Sequence, residues 1–143
     1  MRNTILFSII LLFLFSCNKN KFTTAPQLKY KSVNTKELHR GQTLQITLSF
    51  TDAEGDLTDR IFIEKIVKPC PAGNGSFIDS THKLPPFPSG KNQAGDILIT
   101  YNYNDVNPLC APRNDTAIFK FVLRDKAQNK SDTAVSDPIV IFN

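Results

Sequence analysis

The sequence predicts an all-β protein, a single antiparallel β-sandwich of about seven strands, and three observations carry that prediction. The segment TLQITLSF alternates Leu44, Ile46, Leu48 and Phe50 with Gln45, Thr47 and Ser49, a period of two that buries one face of a strand and wets the other. Short segments rich in β-branched and aromatic residues recur along the chain, separated by Gly, Pro, Asn and Asp, which is the punctuation of strands and turns. Beyond the N-terminus no segment carries an apolar stripe at helical spacing.

The predicted strands follow in order. LKYKSV from Leu28 is the first and TLQITLSF the second; RIFIEKIV from Arg60 and SFID from Ser76 come next. DILITYNY repeats the alternation with Ile97, Ile99, Tyr101 and Tyr103 on one face, so both tyrosines are expected in the core. TAIFKFVL does the same with Phe119, Phe121 and Leu123, and PIVIF closes the chain. Faces of this kind are buried only if two sheets close over them.

The N-terminus has a different composition. Arg2 precedes an apolar run from Ile5 to Phe15 broken only by Ser8. A helix needs roughly 20 apolar residues to span a bilayer, so a basic segment followed by this shorter run and a small residue has the layout of a secretory signal. The run ends in Leu14-Phe15-Ser16-Cys17, which resembles the lipobox of bacterial lipoproteins. The resemblance implies cleavage before Cys17 and lipidation of its sulfur and new amine, an anchor of three acyl chains where two already hold a protein on a membrane. Asn18 stands where many inner-membrane lipoproteins carry Asp, so the resemblance implies the outer membrane. CNKNKF lacks the acidic cluster that sends some lipoproteins to the cell surface, which favours the periplasmic face.

The expected organisation is thus a signal peptide over 1–16, a lipidated cysteine and polar tether over 17–27, and one domain over 28–143. The mature chain of 127 residues suffices for one hydrophobic core. Its 16 basic and 13 acidic residues are scattered, and without a basic patch no nucleic-acid partner is expected. Three cysteines in an exported chain leave an odd one. With Cys17 lipidated, Cys70 and Cys110 remain to pair in an oxidising compartment. Two isolated cysteines without a nearby histidine make a poor metal site.

RGQTLQITLSFTDAEGDL resembles the second strand and following loop of bacterial immunoglobulin-like, cadherin-like or fibronectin-type-III-like modules, and FVLRDKAQNKSDTAVSDPIVI their last hairpin. The resemblance implies an immunoglobulin-like sandwich. It departs from antibody domains, since the chain has no Trp and its cysteines lie in proline-flanked loops rather than mid-strand.

Seven strands of alternating direction sort the loops between two ends. The loops holding Cys70 and Cys110 fall at one end, within reach of a disulfide. TDAEGDLTD, STHKLPPFPSGKNQAG and DKAQNKSDT gather at the other, where rigidly held loops carry recognition. Asp52, Glu54 and Asp56 place carboxylates at alternate positions around Gly55, with Asp125 nearby if the second and sixth strands are neighbours. Hard oxygen ligands suit Ca²⁺; the alternative is an acidic turn whose Asp52 or Asp56 bonds its own backbone. An EF-hand is excluded, because its twelfth-position Glu would fall on Ile63. Phe87, among three prolines, either meets a glycan or protein partner or covers the mouth of the core.

Catalytic signatures are missing from the sequence. His39 and His82 are isolated, and Ser80 beside His82 means little because triads assemble from distant segments. Three stretches, Asp79-Ser80-Thr81, Asp115-Thr116-Ala117 and Asp132-Thr133-Ala134, resemble the acceptor of a bacterial O-glycosylation system. They place Ser80, Thr116 and Thr133 at expected loop edges; ordinary Asp-Thr turn chemistry is the alternative. The expectation is a non-catalytic, lipid-anchored envelope module that binds a partner or serves as a structural accessory. The alternatives are a surface glycan-binding or adhesion lipoprotein and a small periplasmic hydrolase.

Overall fold

The computed structural model describes residues 22–67, 76–88, 90–106, 108–109 and 112–143, with the backbone alone for 76–80. The signal segment, Cys17, Cys70 and Cys110 lie outside the described residues.

Strands β1 (Gln27–Val33), β3 (Thr43–Asp52), β4 (Leu57–Val67), β5 (Ser76–Lys83), β6 (Gln93–Asn102), β7 (Asp115–Asp125) and β9 (Ile139–Ile141) answer to the seven expected from sequence. Two-residue strands β2 (Glu37–Leu38) and β8 (Ala134–Val135) are additional, too short to leave a periodic signal. Among the described residues there is no α-helix. Tyr103 leaves β6 for a 3₁₀ turn over Tyr103–Asp105, closed by a bond from the Val106 amide to the Tyr103 carbonyl. It stays buried, and its hydroxyl donates to the Phe142 carbonyl at 2.6 Å.

One sheet has the order β1-β3-β6 and the other β2-β9-β7-β4-β5, with β8 beside β7. Among the described residues all strand pairings are antiparallel except β2 with β9. The chain is an immunoglobulin-like β-sandwich in which the fourth long strand, β5, pairs with β4.

Alternation explains why these segments close on each other. Leu44, Ile46, Leu48 and Phe50 of β3 and Ile97, Ile99 and Tyr101 of β6 point inward from the small sheet. Ile61 and Ile63 of β4, Phe119, Phe121 and Leu123 of β7, and Ile139 and Ile141 of β9 meet them from the large one. Phe119 stacks on Tyr101 at 5.8 Å across the interior. Each such side chain contributes roughly 1.5–3 kcal/mol when fully buried.

The same alternation carries charged groups inward at the ends of the strands. In β3 it runs on to Asp52, and in β7 it begins at Asp115 and finishes at Asp125; all three aspartates are at most 1% exposed. Along β4 it places Lys65 between Ile63 and Val67, also 1% exposed. Because Val67 pairs with Ala117, the end of β4 and the start of β7 share one end of the sandwich. Asp52 and Asp125 lie at the opposite one.

Candidate functional site

The acidic end is assembled by backbone geometry. Asp52 is the last residue of β3, and its Oδ2 accepts bonds from the amides of Gly55 (2.7 Å) and Asp56 (3.1 Å). Asp52 therefore bonds its own loop, as the turn alternative expects. Gly55 has φ +69°, and a Cβ there would collide with the Gly90 carbonyl oxygen. Only glycine lets this loop press against the one that follows β5. The Asn92 amide donates to the Ala53 carbonyl at 2.9 Å, and the Lys126 amide to the Asp56 carbonyl at 3.0 Å. Three loops meet here, as the alternating strand directions predict.

Carboxylate oxygens of Glu54, Asp56 and Asp125 come within 4.8 Å of one another. The route differs from the one expected. Strands β3 and β7 lie in different sheets, so adjacency of the second and sixth strands is not the cause. The chain turns from β3 into β4, and β4 pairs with β7 so that Leu57 faces Asp125; Asp56 arrives beside Asp125 by that register. Asn129 fixes the Asp125 carboxylate, donating its amide to Oδ1 at 2.7 Å and its side-chain nitrogen to Oδ2 at 2.6 Å. Each oxygen keeps a second lone pair. Asp52 Oδ1 and Asp56 Oδ1 are buried and have no hydrogen-bond partner among the described residues. None of the ion pairs among the described residues uses any of these four acids. Glu54, Asp56 and Asp125 offer several anionic oxygens, the unsatisfied Asp56 Oδ1 among them, to a hard cation, while Asp52 of the expected set stays outside this group and bonds its own loop.

Phe87 lies beside this end, half-buried, its ring packed edge-on against Phe50 at 5.1 Å. With Pro86, Leu57 and Lys126 it lines a shallow depression of about 350 Å³. Its ring thus sits over the mouth of the core, and one margin faces solvent.

Two of the three expected acceptors of sugar lie within strands rather than at loop edges. Ser80 is within β5, and Thr116 is half-buried in β7 paired with Val140. Strand pairing extends beyond the apolar alternation that marked these boundaries, because the ladder needs backbone groups and not apolar side chains. Thr133 is exposed ahead of β8. His39 stacks on Phe142 at 4.2 Å, while His82 faces Tyr101 edge-on at 6.4 Å, so the two histidines are occupied separately.

The far end holds a group that the sequence reading passed over. Lys65 Nζ donates to the Val106 carbonyl at 3.0 Å, and the Asp115 Oδ2 accepts the Leu109 amide at 2.6 Å. Burial pushes the Lys65 ammonium below the usual lysine value, with the Asp115 charge opposing the shift. Its signal was present in RIFIEKIV, where position 65 shares the parity of Ile61, Ile63 and Val67.

No family model and no curated protein matches the chain. Among solved structures it is similar to the PKD domain of an M14-like peptidase from Thermoplasmatales archaeon SCGC AB-540-F20, with 12% identity over 83% of this chain and 94% of that one, at a TM-score of 0.45. It is also similar to Spo0M, a sporulation control protein from Bacillus subtilis, at 10% identity over 85% of this chain and 51% of that one, with a TM-score of 0.48. A β-glucosidase from Listeria innocua matches at 13% identity and a TM-score of 0.45 over 82% of this chain and 16% of its own length.

Proposed function

We propose that this chain is a non-catalytic, lipid-anchored module of the outer membrane, facing the periplasm, whose acidic end takes a calcium ion and presents the loops around it to a protein or glycan partner. The observation that carries the proposal is the meeting of Glu54, Asp56 and Asp125 within 4.8 Å at one end of the sandwich. A divalent cation held by Glu54, Asp56 and Asp125 would satisfy the unpartnered Asp56 oxygen and tie together loops that share only a few backbone bonds. The half-exposed Phe87 then stands next to an ordered rim.

Titration of the chain with calcium chloride in a calorimeter tests the site. Saturable binding is expected for the native sequence and none for Asp52→Asn with Asp56→Asn. At calcium about 100-fold above its dissociation constant, the native chain should gain about 2.7 kcal/mol of stability and the variant nothing. Equal heats from the two proteins would remove the cation from the proposal.

The anchor rests on the Leu14-Phe15-Ser16-Cys17 resemblance. Among the described residues no helix is long and apolar enough to cross a membrane. Cys17→Ala should move the protein from the membrane pellet to the soluble fraction. Retention of an unlipidated chain in the pellet would contradict the anchor.

A further inference from the structure

Sheet edges in this molecule are treated unequally. The free edge of β1 is interrupted by a register shift between Tyr30 and Ser32, β5 pairs through a shift between Ile61 and Ile63 of β4, and β2 is two residues long. Bulged and short edges resist further pairing. Strand β6 is the exception: ten residues without proline, in unbroken register with β3 from Gln93 to Asn102, and at the border of its sheet.

The direction of its free backbone groups follows from the ladder. The Tyr103 amide donates to the Gln42 carbonyl, so odd-numbered residues of β6 turn their amides and carbonyls toward β3. Even-numbered residues turn theirs outward. The Asn102 amide obeys this phase and is taken by the Asp105 carboxylate at 2.8 Å. Ala94, Asp96, Leu98 and Thr100 are left presenting backbone groups from exposed positions, unpaired among the described residues. Leu98, at the middle of this row, is 57% exposed, more than any other large apolar side chain among the described residues.

We propose that β6 pairs antiparallel with β6 of a second copy of this chain about a two-fold axis at Leu98, joining two three-stranded sheets into one of six. The side chains select both the occupant and the register. With Leu98 opposite its own counterpart, Asp96 faces Thr100 of the other copy, and an apolar pair sits at the centre. A shift of two residues one way puts Asp96 opposite Leu98, and a further shift puts Asp96 opposite Asp96. The opposite shift moves Asn102, whose amide is already occupied, from the end of the row opposite Ala94 to a place opposite Asp96, and it splits the apolar pair by setting Leu98 against Thr100. Asp96 carries little free charge into the pairing, because Lys31 holds it at 2.6 Å. The surface is independent of the acidic end, so neither proposal falls with the other.

Sedimentation equilibrium of the chain from residue 18 onward tests this, since its described part contains the whole sandwich. A concentration-dependent dimer is expected. Leu98→Lys opposes two like charges and should weaken it about tenfold or more, with an unchanged circular dichroism spectrum because residue 98 is exposed. An equimolar mixture of Leu98→Lys and Leu98→Glu should restore the dimer. Leu98→Cys should form a reducible cross-linked dimer, since directly opposed residues in such a pair lie about 5.5 Å apart at Cα. A chain that stays monomeric at millimolar concentration, or a dimer indifferent to Leu98→Lys, overturns the proposal.

Discussion

Strand β7 ends in an inward-facing aspartate on both sides, and the two ends treat that charge differently. Asp115 shares its end with Lys65, a cation carried into the interior on the neighbouring strand. Asp125 shares its end with Glu54 and Asp56, and its fixed partner is the neutral amide of Asn129. One end therefore has an internal counter-charge, while the other gathers further acids. The contrast shows how inward alternation does different work according to what the facing strand supplies: a self-compensated closure in one place and a receptive site in the other.

The first way to sharpen the comparison is covalent. The register that sets Val67 opposite Ala117 brings the flanks of both cysteine-bearing segments to the Lys65 end, and we propose a Cys70–Cys110 bond there. Closing about 40 residues should be worth ~4 kcal/mol in the chain-entropy model. Alkylation of folded protein without reductant is expected to label neither thiol, and Cys70→Ser should lower urea stability by about that amount. Labelling of both thiols would leave the Lys65 end closed by noncovalent contacts alone.

Next in size is Lys65 itself. Lys65→Ala removes a bond to Val106, takes a nearby positive charge from Asp115 and opens a cavity, for an expected loss of about 3 kcal/mol that calcium does not restore. The pH dependence has a definite sign. Since the folded chain holds the Lys65 proton less tightly than the unfolded chain, stability should rise as pH climbs from the lowered value toward the ordinary lysine range. Lys65→Met should flatten that rise in denaturation curves. An unaltered slope would mean that the ammonium costs nothing where it lies.

The smallest expected effect tests the receptive end. Gly55→Ala must abandon φ +69° and collides with the Gly90 carbonyl, so a loss of about 1–2 kcal/mol is expected. Calcium affinity should fall with it, because the loop carries Glu54 and Asp56. If stability drops and affinity does not, the loop-to-loop contact is separate from the cation site.

Much of this architecture could be read from residues alone, and the omissions have physical causes. TLQITLSF and TAIFKFVL showed their buried faces through period two, and continuing the count would have carried Asp52 and Asp125 inward with them. Lys65 was overlooked because an apolar face read by residue type discards its one cation, although parity includes it. The nearness of Asp56 to Asp125 was foreseen for the wrong reason. Pairing partners depend on which strands share a sheet, and β5 joining β4 is a matter of tertiary competition that local pattern does not encode. Likewise the contact of Phe87 with Phe50 depends on where a long loop folds back.

The parallel pairing between β2 and β9 also determines how the molecule bears tension. The Val140 amide donates to the Lys36 carbonyl and the Phe142 amide to the Leu38 carbonyl, both at 2.9 Å. These strands point the same way, so pulling the chain apart between residue 37 and residue 141 drags one strand lengthwise past the other. The bonds are then strained together in shear and cannot open one at a time like a zipper. Resistance to such a pull is governed by the rate of crossing that barrier rather than by equilibrium stability. A module held at its N-terminal side and loaded at its C-terminal side would carry its mechanical clamp in these few residues.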